Sequence, residues 1–173
     1  LDYTPNENWV FGANFEKMEA ETNTAHDLDG DGEPNLVKGL RLPLVPSSKA
    51  AAWLEYHAPT DFLGGESFFI RTQWSHTGDS LNILEPLDLT DANPQLTNPS
   101  YTIGDIRAGI VGEDWQVDIF VNNVTDERAT YTTQTGTFEW NAGASVDGRA
   151  RHQTFYTNRP TEVGIRFMKR WGD

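Results

Sequence analysis

The stretch Asn158-Arg-Pro-Thr-Glu-Val-Gly-Ile-Arg-Phe-Met-Lys-Arg-Trp171 places an apolar side chain at nearly every second position. Val163, Ile165, Phe167 and Trp171 share one parity, while Glu162, Gly164, Arg166 and Arg170 share the other. Successive side chains of a strand point to opposite faces, so this is a strand with one apolar and one charged face. Whether the apolar face meets a protein core or lipid depends on the rest of the chain.

The same period of two recurs five more times. Trp9 to about Ala20 sets Trp9, Phe11, Ala13 and Phe15 against Gly12, Asn14 and Glu16. Lys49 to Ala58 sets Ala50, Ala52, Leu54 and Tyr56 against Trp53, Glu55 and His57. Ser67 to about Thr77 sets Phe68, Ile70 and Trp74 against Arg71, Gln73 and Ser75. Tyr101 to Val111 carries Gly104, Ile106, Ala108 and Ile110 opposite Asp105 and Arg107, and Trp115 to Val124 alternates Trp115, Val117, Ile119 and Val121 with Gln116, Asp118 and Asn122. Six strands of this length are long for a globular sheet and suit a tilted crossing of a bilayer.

Composition agrees with an all-β chain. Of 173 residues, 37% are hydrophobic and 12% aromatic, with 15 glycines and 9 prolines, and the mean hydropathy is -0.57. Abundant turn formers and aromatics with short apolar runs fit many strands better than packed helices. No run approaches the roughly 20 apolar residues of a spanning helix. Leu1 opens without a start methionine or signal-like segment, so a leader was removed or the chain continues a longer one. Cysteine is absent, which excludes disulfides and thiolate metal sites. A net charge of -13 argues against a nucleic-acid partner, whose phosphates need a basic surface.

The connections alternate in length. Residues 59–66 and 112–114 are tight turns, whereas 21–48, 78–100 and 125–159 are long and polar. Structureless loops of that length are uncommon in compact soluble domains; short turns on one side and long loops on the other match an outer-membrane barrel. With the short turns at one end, Trp9, Tyr56, Phe68, Trp115 and Trp171 fall at one depth on the apolar parity, as an interfacial aromatic row would. The opposite parity gathers Glu16, Glu55, His57, Arg71, Asp105, Arg107, Asp118, Glu162, Arg166 and Arg170. Such a set suits a hydrated lumen or an open sheet face and not a dry core.

Particular motifs give the chain a family resemblance. Trp115 to Arg128 carries Asn123-Val-Thr-Asp126 at a strand exit, Tyr101-Thr-Ile-Gly-Asp-Ile-Arg-Ala-Gly109 precedes it, Leu42-Pro-Leu-Val-Pro46 leads an earlier strand, and Asn158-Arg-Pro160 to Arg166-Phe167 closes the series. In this order they resemble the C-terminal β-barrel segment of a TonB-dependent outer-membrane receptor. The resemblance implies an antiparallel up-and-down transmembrane β-barrel segment over residues 1–173, incomplete because such barrels use about 22 strands. It also implies location in the bacterial outer membrane, contact with its lipid, and energy-coupled uptake of a bulky ligand such as a ferric siderophore, cobalamin or oligosaccharide. Coupling to TonB would run through a plug domain that these residues do not supply.

Two loops hold candidate sites. In the 125–159 loop, Trp140, Arg149, Arg151, His152 and Tyr156 combine stacking surfaces with cations, a set able to hold a ligand at the outer surface. The same loop reads slightly better as a hairpin extension whose aromatics pack locally. Asp27, Asp29, Asp31 and Glu33 alternate around a glycine at the sixth position, as in a calcium loop, but Lys38 occupies the twelfth position. A solvated acidic turn is the alternative to Ca²⁺ there. No nucleophile elbow, phosphate loop or zinc-protease motif is present, so no catalysis is expected. The rival functional expectations are a secreted, calcium-assisted carbohydrate-binding β-sandwich and a passive porin-like channel.

Overall fold

A computed structural model of the chain describes residues 1–27, 30–84, 95–138 and 150–171, with backbone alone at 135–138 and 150–152. Its strands are β1 (Asp2–Asn6), β2 (Trp9–Lys17), β3 (Ser48–Pro59), β4 (Ser67–Thr77), β5 (Ser80–Leu81), β6 (Thr97–Asn98), β7 (Tyr101–Val111), β8 (Trp115–Asn122), β9 (Thr130–Phe138), β10 (Ala150–Thr157) and β11 (Glu162–Lys169). Seven of them form one antiparallel sheet in the order β1-β2-β3-β4-β7-β8-β11. Each strand pairs with its neighbour along the chain, interrupted only by the small β5–β6 and β9–β10 hairpins. The sheet is open, with β1 and β11 as its edges.

The six expected strands are all present, two of them with the expected ends, and β1 is an addition. Tyr3 pairs with Phe11, and Asn6 with Trp9. The turn between them is made by Asn6, whose side-chain oxygen accepts the amides of Asn8 at 3.0 Å and Trp9 at 3.1 Å. Pro5 hides this strand from a pattern search, since proline is tolerated only at an edge, and β1 is an edge. β2 stops at Lys17 and not near Ala20. β8 stops at Asn122 and not at Val124, because Asn123 takes a left-handed φ of 51° that turns the chain away.

Register converts parity within strands into faces across the sheet. Phe11, Leu54, Thr72, Ile106, Val121 and Val163 are successive partners, and so are Trp9, Tyr56, Ile70, Ala108, Ile119 and Ile165. A third row joins Phe68, Ile110, Val117 and Phe167. The apolar parities of all the long strands therefore merge into one surface. At its short-turn end the Trp9 ring lies 4.6 Å from Tyr56, and Tyr56 lies 5.8 Å from Phe68, separations at which aromatic pairs attract.

No second layer covers that surface among the described residues. Val163 is 71% exposed, Ile165 73% and Phe167 66%, and Ala129 is the only fully buried apolar residue described. The ladder itself is tight where it crosses Gly109. A Cβ there would sit 2.5 Å from the Val117 carbonyl oxygen and 2.6 Å from the Asp118 Cβ. Gly109→Ala is expected to cost roughly 1–3 kcal/mol through overpacking, measured as a lower denaturant midpoint at unchanged slope. An unchanged midpoint would show that β7 and β8 approach less closely than described.

Candidate functional site

The three long connections, 18–47, 78–100 and 123–161, emerge at the end of the sheet opposite the tight turns. Their described parts are tied to one another. The first folds on itself through the bridges Glu21–Arg41 and His26–Leu36, and its return arm is pinned to the second. Arg41 Nη1 donates to Asp79 Oδ2 at 2.7 Å, Ser47 Oγ donates to Asp79 Oδ1 at 2.7 Å, and the Leu44 and Ser47 amides reach the Leu81 and Asp79 carbonyls. These bonds from Arg41 and Ser47 hold the Asp79 carboxyl below its usual pKa.

The second connection is in turn joined to the third. Asn82 Nδ2 donates to the Thr133 carbonyl at 3.1 Å, and the Tyr101 and Tyr131 rings lie 5.6 Å apart. A small buried polar group, Ser80, Asn82, Asn98 and Thr133, lies at this junction. Part of this polar group is satisfied internally, as Asn98 Nδ2 is by Ser80 Oγ at 3.1 Å, while Asn98 Oδ1 is buried without a hydrogen-bond partner among the described residues.

The third connection is organised by Asn123. Its amide donates to Asp105 Oδ1 at 2.8 Å, its Nδ2 donates to the carbonyls of Glu127 at 3.0 Å and Arg159 at 3.1 Å, and its Oδ1 accepts the Glu127 amide at 2.9 Å. Its own carbonyl accepts Thr161 Oγ1 at 2.7 Å. Asp126 receives the Thr161 amide at 3.1 Å, which lowers the Asp126 pKa, and Asn158 Oδ1 accepts the Ala129 amide at 2.9 Å. The segment Asn123-Val-Thr-Asp126 thus clamps the exit of β8 to the entry of β11, with asparagine and aspartate at the two left-handed positions, φ 51° and 49°.

Beyond the clamp, β9 and β10 form the hairpin that the sequence left open as one of two readings. Arg151 pairs with Thr137, His152 with Gly136 and Tyr156 with Thr132 along its backbone. Tyr156 is half exposed, with its hydroxyl donating to Gln134 Oε1 at 3.3 Å, and the neighbouring Phe155 is 55% exposed. Trp140 and Arg149 lie outside the described residues, as do the side chains of Arg151 and His152. Of the five expected ligand contacts, Tyr156 alone has a described side chain.

In the acidic turn, Asp27 spends both carboxylate oxygens on backbone: Oδ1 accepts the Gly30 amide at 2.6 Å and Oδ2 the Gly32 amide at 2.9 Å. Asp31 Oδ1 accepts the Glu33 amide at 2.8 Å. These are bonds that shape turns, with Gly30 and Gly32 supplying left-handed φ values of 81° and 95°. Asp29 lies outside the described residues, and among those described no three acidic or histidine side chains converge on a metal position.

The polar face of the sheet was read from the sequence as a list of charges; register makes it a network. Asp118, side chain fully buried, receives Arg166 Nε at 3.1 Å, Arg166 Nη2 at 3.0 Å and Gln116 Nε2 at 2.9 Å on Oδ1. Arg107 Nε lies 3.6 Å from Oδ2. Arg71 stacks 5.2 Å above the Trp53 ring and lies 3.4 Å from Glu55. Hollows on this face are lined by Arg71 and Arg107 together with Gln73, Asn122, His57 and Gln116.

Comparison with protein-family models, with curated proteins and with solved structures finds no match to the chain.

Two outcomes check this loop framework. Asn123→Ala removes three side-chain bonds and places alanine at a left-handed φ, and is expected to cost roughly 2–4 kcal/mol; Asn123→Gly, which keeps the backbone free, should cost less. Because the folded-state pKa of Asp79 is lowered, its contribution is present above the ordinary carboxylate value and is lost as pH falls below it through the folded value. Protection factors of the Ser47 and Leu44 amides, taken against intrinsic exchange at each pH, should therefore fall in acid in the native chain. In Asp79→Asn they should already be low at neutral pH and show no acid step.

Proposed function

We propose that the chain is a wall segment of an outer-membrane TonB-dependent receptor barrel, taking part in energy-coupled uptake of a bulky ligand. The observation that carries this reading is the continuous apolar face across seven strands with no protein layer over it among the described residues. A water-soluble sheet of this size buries one face against a second layer. Here the uncovered face carries its aromatic row at the short-turn end, and the other face carries paired charges, the two-sided pattern of a barrel wall between lipid and lumen.

Charge placement supports the same reading. Within the main sheet, lysines on the apolar parity occur only at its ends, Lys17 at the long-loop end and Lys169 at the short-turn end. Charge is least costly there, where a side chain reaches the headgroups. Lys169 also lies 5.0 Å from the Trp171 ring. In this role the strands form the wall and the interlocked long connections form part of the outer vestibule, with the plug and its TonB contact supplied elsewhere. A carbohydrate-binding sandwich would need a second sheet stacked on the apolar face, and neither small hairpin sheet packs substantially against the strands of the main sheet.

Single-tryptophan variants folded in brominated detergent test the assignment. Trp9, Trp74 and Trp115, on the apolar parity, should be strongly quenched, while Trp53 on the polar face should keep most of its emission. A monodisperse monomer in detergent-free buffer, or equal quenching of all four, would rule the wall reading out.

A further inference from the structure

Arg71 and Arg107 are direct partners across the β4–β7 ladder, on the polar face. Like charges facing each other across a ladder destabilise it unless an anion lies between them. The anions present do this incompletely. Glu55 approaches Arg71 to 3.4 Å and Asp118 approaches Arg107 to 3.6 Å, whereas Asp118 holds Arg166 through contacts of 3.0 and 3.1 Å. Asp118 Oδ1 is committed to Arg166, while Oδ2 faces Arg107 without a hydrogen bond, and Asp105, the third carboxylate nearby, accepts the Asn123 amide.

The two guanidiniums are also placed for a guest. Their side chains are 42% and 40% exposed, and both line the same two hollows of the polar face. Trp53 beneath Arg71 restrains one of them, and Gln73 and Asn122 add neutral donors at the rim. Two guanidiniums lining one hollow, beside Asp105, offer planar N–H forks of the kind that engage a carboxylate. With a chain charge of -13, attraction of an anion has to be local, and this is where cations adjoin.

We propose that Arg71 and Arg107 form a binding site for a carboxylate-bearing ligand on the polar face of the sheet. The ligand is either a free dicarboxylate or an acidic side chain of a polypeptide seated on that face; both present the same group to the same pair. The site stands apart from the membrane reading, since the polar face is hydrated whether it lines a lumen or meets open water.

Side-chain Nε–Hε resonances of arginine, followed by NMR on the whole chain during titration with succinate and with hexaglutamate, test the site. Arg71 and Arg107 should shift together and saturably, and Arg159, a loop residue whose side chain is 83% exposed, should not. Arg71→Gln and Arg107→Gln should each weaken binding about tenfold or more. Tighter binding of succinate assigns the free anion, and tighter binding of hexaglutamate assigns a polypeptide. If no resonance shifts, if all arginines shift alike, or if both folded variants bind as the native chain does, the site does not exist. The native-chain titration decides the matter even where a variant fails to fold.

Discussion

A single antiparallel sheet has two faces, and among the described residues neither is covered by a second layer. Everything else in the structure follows from that constraint. The period-2 alternation sorts apolar and polar side chains, and the register rows through Leu54 and Ile70 align the sorted faces across strands. The apolar rows that result enter no core among the described residues. Hydrophobic burial is the largest favourable contribution to folding, so a sheet with this much unburied apolar surface depends on an environment that replaces the missing layer. Lipid does so without requiring a second sheet.

The polar face obeys a complementary rule. A buried carboxylate such as Asp118 is tolerable only with charge partners and donors around it, and Arg166, Gln116 and Arg107 provide them. The charges are thus bound into a cross-strand network on the hydrated side. At the loop end, hydrogen bonds take over from packing: Asn123, Asp126, Asn158 and Asp79 replace a core with polar clamps that join three connections.

Much of this was legible in the residues. β4 and β7 begin and end where alternation does, because clean period-2 patterns bounded by glycine, serine and proline leave little freedom. β1 was hidden because Pro5 reads as a breaker unless the strand is known to be an edge. The β9–β10 hairpin stayed undecided because Thr130 to Thr135 is almost uniformly polar and shows no apolar stripe. Asn123 was visible as part of a motif, yet its role as a clamp was not, since its partners Arg159 and Thr161 are more than thirty residues away. The Arg71–Arg107 pair was missed for a similar reason: parity assigns a face, and only register makes two residues neighbours.

The claim that the apolar face meets lipid is tested most directly by spin-label scanning of β11 from Glu162 to Lys169 in bilayers, which the absence of native cysteine makes clean. Labels at Val163, Ile165 and Phe167 should be relaxed by oxygen dissolved in the lipid, and labels at Glu162, Gly164 and Arg166 by a water-soluble paramagnetic reagent, alternating with a period of two. Equal access of the water-soluble reagent to both sets would contradict the account.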